Sequence, residues 1–315
     1  MQAFLDTFVA LFPLYVYVLI GVLLRKLGLL HDELNKQVNK LVFRVFLPCS
    51  LFKSAYGITF ELGGNGKAIL YMVVSYAVLF TVLMLVVPRL FRDDRPAAAT
   101  VVQAGFRSNF VLLGLAYTQL LFGDDNISSV SVLTAVIIPM YNILAILGFE
   151  LLRGGKVNAL QVLKRIVTNP LIVAVVLGLA VKAVGITLPE MILKPVEALA
   201  GVASPLALIV IGATLTVSGF RKNLKRVLGT TCLRLVAVPL VFVTIAVLLG
   251  FRDVLLVTMV VAFAGPCAVS GVPMAYELGG DGDLAGQVTA TTTLLSLFSV
   301  YMFIAVLRAM GFCVA

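Results

Sequence analysis

One arginine lies inside an apolar segment, where a charge needs a chemical reason. Arg107 is followed by Ser108 and Asn109 in the stretch 97–122, whose other residues are mostly apolar. A charged side chain near the bilayer centre costs roughly 2.5–3.5 kcal/mol on insertion scales, and a guanidinium offers a planar fork of donors that suits a carboxylate. We predict that Arg107, Ser108 and Asn109 bind a substrate carboxylate. The alternative is a structural arginine that caps carbonyls or reaches towards the membrane surface.

A second group of helix-weakening residues lies in another apolar segment. Gly265, Pro266 and Cys267 interrupt the stretch 255–276. Proline removes a backbone donor and glycine weakens a helix, and free backbone groups at membrane depth are tolerated only inside protein or beside a watery cavity. The two breaks are therefore predicted to line one cavity, whose half-helix N-termini attract an anion. A simple kink at Pro266 is the alternative.

Supporting residues are expected on other segments. Asn142 is left open between a substrate ligand and a contact between helices. Thr292 is predicted to satisfy the broken backbone nearby, and Arg234 is left between a structural and a binding role. Pro48 and Pro205 are predicted to interrupt the second and seventh segments.

The composition predicts an all-α integral membrane protein. Of the 315 residues, 61% are hydrophobic and 12% are charged, against roughly 25% charged in a soluble domain. A soluble fold of this size could not hide that apolar surface, so a bilayer must cover it. Ten apolar segments long enough to cross are predicted: 5–24, 41–56, 69–87, 97–122, 130–152, 170–184, 196–218, 228–249, 255–276 and 287–307.

The basic residues predict the orientation. The connections from odd to even segments hold 15 of the 24 lysines and arginines, which places these connections in the cytoplasm and both termini outside the cell (inner) membrane. This asymmetry explains the net charge of +9 without a nucleic-acid partner. The four cysteines are scattered, so neither a metal site nor a disulfide framework is predicted, and no cofactor is expected.

A weak internal repeat relates the two halves of the chain. Residues 106–124 align without gaps on residues 263–281, with five identities. Each half, 1–152 and 170–315, then holds five spans, with 153–169 as the cytoplasmic connection. Because five is odd, the halves insert with opposite orientation, which is the inverted-repeat arrangement of secondary transporters.

The same motifs resemble the auxin efflux carrier family over nearly the whole chain. The similar stretches include FRSNF at 106–110, SPLAL at 204–208 and PCAVS at 266–270. The resemblance implies a fold similar to that of bile acid sodium symporters, with broken fourth and ninth spans that cross. It also implies a scaffold of spans 1, 2, 6 and 7, a mobile bundle of spans 3–5 and 8–10, a homodimer, and substrate contacts at Asn109, Asn142 and the Pro266 crossover.

The family includes plant auxin exporters and bacterial permeases for malate or malonate. An arginine at the position of Arg107 is similar to the pattern of only some bacterial members, so auxin is not the expected substrate. The resulting hypothesis is a secondary carrier for a small carboxylate that works by an elevator-type movement, with coupling to a proton or sodium left open. Glu150 is expected to be a solvated carboxylate at the membrane surface. An anion channel, a substrate sensor and, less favoured, a membrane-embedded enzyme are the alternatives.

Overall fold

The computed structural model describes residues 2–57, 65–110, 114, 117–118, 121–123, 127–153 and 159–313, and most of them are helical. Two π-helical turns, Val42–Phe46 and Leu233–Ala237, each lie within a longer helical path. Residues 154–158 of the predicted connection lie outside the described residues. The helices are α1 Gln2–Lys26, α2 Asp32–Leu41, α3 Leu47–Tyr56, α4 Gly66–Leu90, α5 Arg95–Phe106, α6 Ile127–Leu152, α7 Ala159–Val167, α8 Pro170–Ala183, α9 Glu190–Thr214, α10 Val217–Cys232, α11 Val238–Leu248, α12 Asp253–Ala264, α13 Gly271–Leu278 and α14 Gly282–Ala309.

Five of the helical stretches in the described chain are long and apolar enough to cross a membrane. Less than half of the most apolar part of each is buried inside the protein, so the remainder meets another apolar medium. These features describe a multi-pass helical membrane protein. The five stretches are Gly66–Leu90, Val130–Leu152, Glu190–Thr214, Ser218–Leu248 and Gly282–Ala309, and shorter apolar helices run over Pro170–Ala183 and Asp253–Ala264.

The interruptions predicted at Pro48 and Pro205 were wrong. α9 runs from Glu190 to Thr214 with Pro205 inside it, and the helical path from α2 continues through Pro48 into α3. A proline forfeits one backbone hydrogen bond, and packing against neighbouring helices can hold the helix together around that loss. Ahead of Pro48 the backbone widens into the π turn Val42–Phe46, which accommodates the proline without ending the helix.

Glycines bring α1 and α9 into direct backbone contact. A Cβ atom on Gly21 would lie 1.9 Å from the Ile209 carbonyl oxygen, and one on Gly212 would lie 2.0 Å from the Val18 carbonyl oxygen. Apolar side chains gain little by leaving lipid for protein, so close backbone approach through small residues is a main source of helix association in membranes. α1 and α9 therefore form a tightly joined pair.

The α1–α9 contact predicts an effect of adding a single methyl group. We expect Gly212→Ala to lower the stability by on the order of 1–3 kcal/mol, because the new methyl meets backbone that cannot move aside. The melting temperature of the purified protein in detergent measures this loss. Gly201→Ala on the same helix is the control, since nothing lies within 4 Å of a Cβ there. Equal melting temperatures for the two variants would contradict the close contact.

The expectation of a solvated Glu150 was wrong. Glu150 is only 7% exposed, and its carboxylate oxygens lie 3.3 Å from Arg153 Nη1 and 3.0 Å from Arg165 Nη1. Arg165 belongs to α7, so this pair of contacts fastens the linking helix to the end of α6. A carboxylate so deeply buried needs such partners to remain charged.

Candidate functional site

Two helices end abruptly at the same place in the protein interior. α5 ends at Phe106 and α12 ends at Ala264, and both terminal residues are fully buried. The non-helical residues that follow them, 107–109 and 265–270, are called the crossover below. Helical structure returns beyond each of these segments, at residue 110 and at the start of α13.

The two crossover segments pair with one another. Ser108 and Cys267 form an isolated antiparallel bridge. The Asn109 N–H donates to the Pro266 carbonyl oxygen at 2.9 Å, and the Ala268 N–H donates to the Arg107 carbonyl oxygen at 3.1 Å. Backbone groups released by the broken helices are thus satisfied within protein, as the apolar surroundings require.

Local sequence explains one break better than the other. A Cβ atom on Gly265 would lie 2.3 Å from the Val261 carbonyl oxygen, and Pro266 has no N–H to continue a helix. The first break has neither a glycine nor a proline within 107–109. Arg107 adopts extended backbone, with φ −88° and ψ 117°, and its carbonyl oxygen accepts from Ala268. The partner segment therefore supplies what the local sequence does not.

Arg234 holds the two broken ends together. It is 0% exposed and lies in the π turn between α10 and α11. Its guanidinium donates to carbonyl oxygens at the ends of both helices, those of Gly105, Phe106, Ala262 and Gly265, at 2.8–3.3 Å. Helix C-termini carry partial negative charge, so the cation and the four acceptors suit each other. This geometry gives Arg234 a structural role.

Arg107 is equally deep in the protein but has different surroundings. It is 5% exposed; one terminal nitrogen donates to Asn142 Oδ1 at 2.6 Å and the other contacts the Met274 sulfur. Neither partner is charged, and no ion pair joins Arg107 to any carboxylate in the described part of the chain. Met274 lies in the first turn of α13, near the positive end of that helix dipole. The site is therefore electrostatically suited to an anion.

Two polar side chains of the crossover carry atoms without partners. Ser108 Oγ and Asn109 Nδ2 are buried, and neither has a hydrogen-bond partner among the described residues. Buried polar atoms are nearly always paired, so these two groups are available to a polar guest beside Arg107. Asn142 is different: its oxygen accepts from Arg107, and its nitrogen donates to the Ile138 carbonyl oxygen at 2.8 Å.

The far side of the crossover is supported by α14. The Cys267 N–H donates to Thr292 Oγ1 at 3.2 Å, and the Cys267 sulfur contacts the Ala104 carbonyl oxygen at 3.3 Å. Thr292 Oγ1 also donates within its own helix, where the Val288 carbonyl oxygen lies 2.8 Å away. Thr292 therefore meets the broken backbone, as the sequence predicts.

This contact predicts a stability loss for Thr292→Val. The substitution keeps the shape but leaves the buried Cys267 N–H without an acceptor, which costs about 1–3 kcal/mol. Thr293→Val is the matched control, since Thr293 is also buried but its hydroxyl donates to the Thr289 carbonyl oxygen within α14. Melting temperatures of the two variants in detergent should differ, with Thr292→Val the lower. A lower value for Thr293→Val would contradict this account.

The structure brings the predicted substrate residues together at one place. The crossover contains Arg107, Ser108, Asn109, Gly265, Pro266 and Cys267, and Asn142 reaches it from α6. The supporting residues divide into two groups. Arg234 and Thr292 contact the crossover, whereas Pro48 lies in α3 and Pro205 in α9. Met274 was not predicted, because the sequence of an apolar helix does not indicate which residue a methionine in it contacts.

Two of the cavities whose walls consist of described residues open at the end of the protein that carries the basic connections, and neither includes Arg107 in its wall. The larger, about 450 Å³, includes Asp94, Arg226 and Asp281. Burial raises the pKa of Asp281 above its ordinary value. Partial burial also acts to raise the pKa of Asp94, but hydrogen bonds from the Ala97 N–H and Arg226 outweigh it and leave this pKa below its ordinary value.

Comparison with known proteins supplies the family. A family model described as "Membrane transport protein" matches residues 6–304, nearly the whole chain. The chain belongs to this family, the auxin efflux carriers. An "Uncharacterized transporter" from Methanothermobacter thermautotrophicus is 28% identical over 297 residues, which are 93% of this chain and 95% of that protein. A relative that matches over nearly the whole of both chains is thus also named a transporter.

A solved structure has a similar fold. The sodium proton antiporter MjNhaP1 from Methanocaldococcus jannaschii superposes with a TM-score of 0.60, covering 92% of this chain and 91% of that one. The sequences are 14% identical, so the likeness concerns the fold alone. Together these findings identify a membrane transporter of the auxin efflux carrier family with an antiporter-like helical fold.

Proposed function

We propose that this transporter is a secondary carrier for a small organic carboxylate. The proposal rests mainly on the surroundings of Arg107, whose buried guanidinium has an amide oxygen and a thioether as its polar partners. A thioether is a weak acceptor, and an arginine fork binds a carboxylate through two parallel charge-assisted hydrogen bonds. A carboxylate that replaces the Met274 sulfur would neutralise the guanidinium and reach the unpaired Ser108 and Asn109 groups.

The crossover supports an inverted repeat of two five-span halves, ten spans in all. With the offset of 157 residues, Phe106 aligns with Phe263, and the two broken helices end within one residue of that correspondence. Residues 1–152 and 170–315 would form the two halves. By the positive-inside rule, the basic connections would lie in the cytoplasm and both termini on the outer side of the cell (inner) membrane.

Tight helix pairs support a rigid scaffold of spans 1, 2, 6 and 7. α1 and α9 meet through Gly21 and Gly212, and a Cβ atom on Gly178 of α8 would lie 2.7 Å from the Phe52 carbonyl oxygen of α3. The crossover belongs to the other spans, 3–5 and 8–10. In the proposed elevator movement this bundle slides against the scaffold and carries the bound anion, with the scaffold forming the contact of a homodimer.

Either the membrane potential or a coupled ion can drive the proposed transport. An anion gains or loses about 2.3 kcal/mol per charge per 100 mV, so export could run on the membrane potential. The antiporter-like fold is the reason to test a coupled proton or sodium ion as well. In the described chain the buried carboxylate is that of Glu150, which two arginines already neutralise.

Reconstitution tests the function directly. Purified protein in proteoliposomes should take up a labelled mono- or dicarboxylate from a panel, with pH, sodium and voltage imposed one at a time. Trapped unlabelled substrate should accelerate uptake by counterflow, which a channel does not show. Conductance without counterflow would favour an anion channel, and binding without flux would favour a sensor. No carboxylate binding at all would refute the proposal.

A further inference from the structure

A second cavity is lined by residues of α2, of the ends of α1 and α9, and of α13 and α14. Its volume is about 260 Å³, enough for a small carboxylate and part of its hydration shell. Asn35 and Lys36 of α2 and Tyr276 of α13 are in its wall. Asp32 and Asp283 are there too, but the first pairs with Arg25 at 2.8 Å and the second accepts from the Tyr276 hydroxyl at 2.6 Å.

Two asparagines extend from this cavity into the protein. Asn35 and Asn39 lie one turn apart on the same face of α2 and are 2% and 1% exposed. Neither side-chain amide has a hydrogen-bond partner among the described residues. Buried polar side chains are nearly always paired, and each amide offers two N–H donors. The pair is therefore placed to bind a polar guest that reaches it from the cavity.

α13 connects this cavity to the crossover. Tyr276 of this helix is in the cavity wall, and Met274, two residues earlier, contacts Arg107. The whole helix has eight residues, about 12 Å at the usual rise. α13 also packs against α2 and against the π turn beyond it, and Arg44 of that turn lies 3.7 Å from Glu277. One short helix thus separates the two asparagines from the buried guanidinium.

We infer that Asn35 and Asn39 bind the transported carboxylate on its way between the cavity and Arg107. This inference rests on the proposed function, and it adds a second, weaker binding site for the same carboxylate. The amides donate to the carboxylate oxygens, and Lys36 contributes positive charge at the entrance. Movement of α13 against α2 would open the route beyond Asn35, since Asn39 is 1% exposed and is not part of the cavity wall.

Amide oxygens can also bind a cation, so the choice of a carboxylate needs a reason. The carboxylates in the cavity wall, Asp32 and Asp283, already accept from Arg25 and Tyr276. A cation would therefore have to compete with an arginine for Asp32. An anion instead meets unoccupied amide donors and ends at a guanidinium. The cavity wall holds two cations, Arg25 and Lys36, and two carboxylates, so the charge that favours an anion is that of Arg107.

The first test removes the amides. We expect the double variant Asn35→Leu/Asn39→Leu to fold, because leucine has a similar size and lacks polar atoms. Carboxylate uptake into proteoliposomes should fall ~10-fold or more, while binding at Arg107, measured in detergent, stays within about twofold of wild type. Gln37→Leu is the control: it makes the same chemical change on the exposed face of α2 and should leave uptake unchanged.

The second test asks whether the route opens. Asn39→Cys is treated in proteoliposomes with the membrane-impermeant anionic thiol reagent 2-sulfonatoethyl methanethiosulfonate. Mass spectrometry of the peptide that contains residue 39 separates its modification from that of the native cysteines. We expect slow modification that the transported carboxylate retards. Gln37→Cys should react at once, and Ala246→Cys, fully buried in α11, should stay unmodified.

The outcomes separate this inference from the proposed function. Arg107-dependent uptake with no modification at residue 39 and normal uptake by the double leucine variant would overturn the inference alone. Protection by sodium, and by no carboxylate, would also overturn it, because the asparagines would then bind a cation. Absence of carboxylate uptake by the wild type would overturn the proposed function itself.

Discussion

Arg107→Gln should abolish carboxylate binding and leave a folded protein. The substitution removes two charge-assisted hydrogen bonds to the substrate, each worth about 1.5–3 kcal/mol, so affinity should fall by roughly 10²–10⁴-fold. Arg107 is deeply buried, with an amide and a thioether as its polar partners. Replacing it therefore removes the cost of burying a charge, and the melting temperature should hold or rise. Isothermal titration and thermal melting in detergent measure both quantities.

A conservative variant separates charge from geometry at this position. Arg107→Lys keeps the positive charge but replaces the planar fork by a single ammonium. We expect an affinity between those of the wild type and Arg107→Gln. Unchanged affinity in Arg107→Gln, together with a lower melting temperature, would instead make Arg107 a structural residue, which is the alternative that the sequence left open.

Arg234→Gln should have the opposite effect on the protein. The guanidinium donates to four buried carbonyl oxygens from two helix ends, and glutamine cannot reach all of them. Removing one member of a buried charge-stabilised cluster costs about 3–5 kcal/mol, a large part of the roughly 5–15 kcal/mol that stabilises a typical folded protein. The yield of monodisperse protein and its melting temperature are the measurements.

The control for this loss is an arginine with similar contacts at the surface. Arg252 also donates to backbone carbonyl oxygens, those of Val247 and Phe251, but it is exposed. Water can replace those contacts, so Arg252→Gln should behave like the wild type. If Arg234→Gln were as stable as Arg252→Gln, the crossover would not depend on the buried guanidinium.

The sequence predicted a helical membrane protein, and the placement of a site at Arg107 remains a prediction that rests on equally strong local signals. The apolar segments, the Gly-Pro pair at 265–266 and a charge at Arg107 each have a large cost in lipid, so their presence needs a reason. The sequence predicted only that the two breaks line one cavity, and the pairing of Ser108 with Cys267 was not predicted. The contact to Met274 depends on tertiary packing between distant segments, which leaves no periodic trace in the sequence.

The errors have the same physical origin. Pro48 and Pro205 carry the residue type that breaks helices, but neighbouring helices and a π turn keep their helical path intact. Glu150 was expected in water because acids are seldom buried, and only the position of α7 supplies Arg165 as its partner. Local chemistry says which groups need compensation, and the tertiary fold decides whether they receive it.

The pairing at the crossover also has a consequence for synthesis. Asn109 donates to Pro266, a residue that the ribosome adds 157 positions later. At about 5–20 residues per second, the amino-terminal half would wait roughly 8–30 s for that acceptor. During that interval its Arg107 carbonyl and Asn109 N–H need substitute partners, such as water in the insertion machinery or a chaperone. The nascent half is therefore expected to stay close to the translocon until its counterpart emerges.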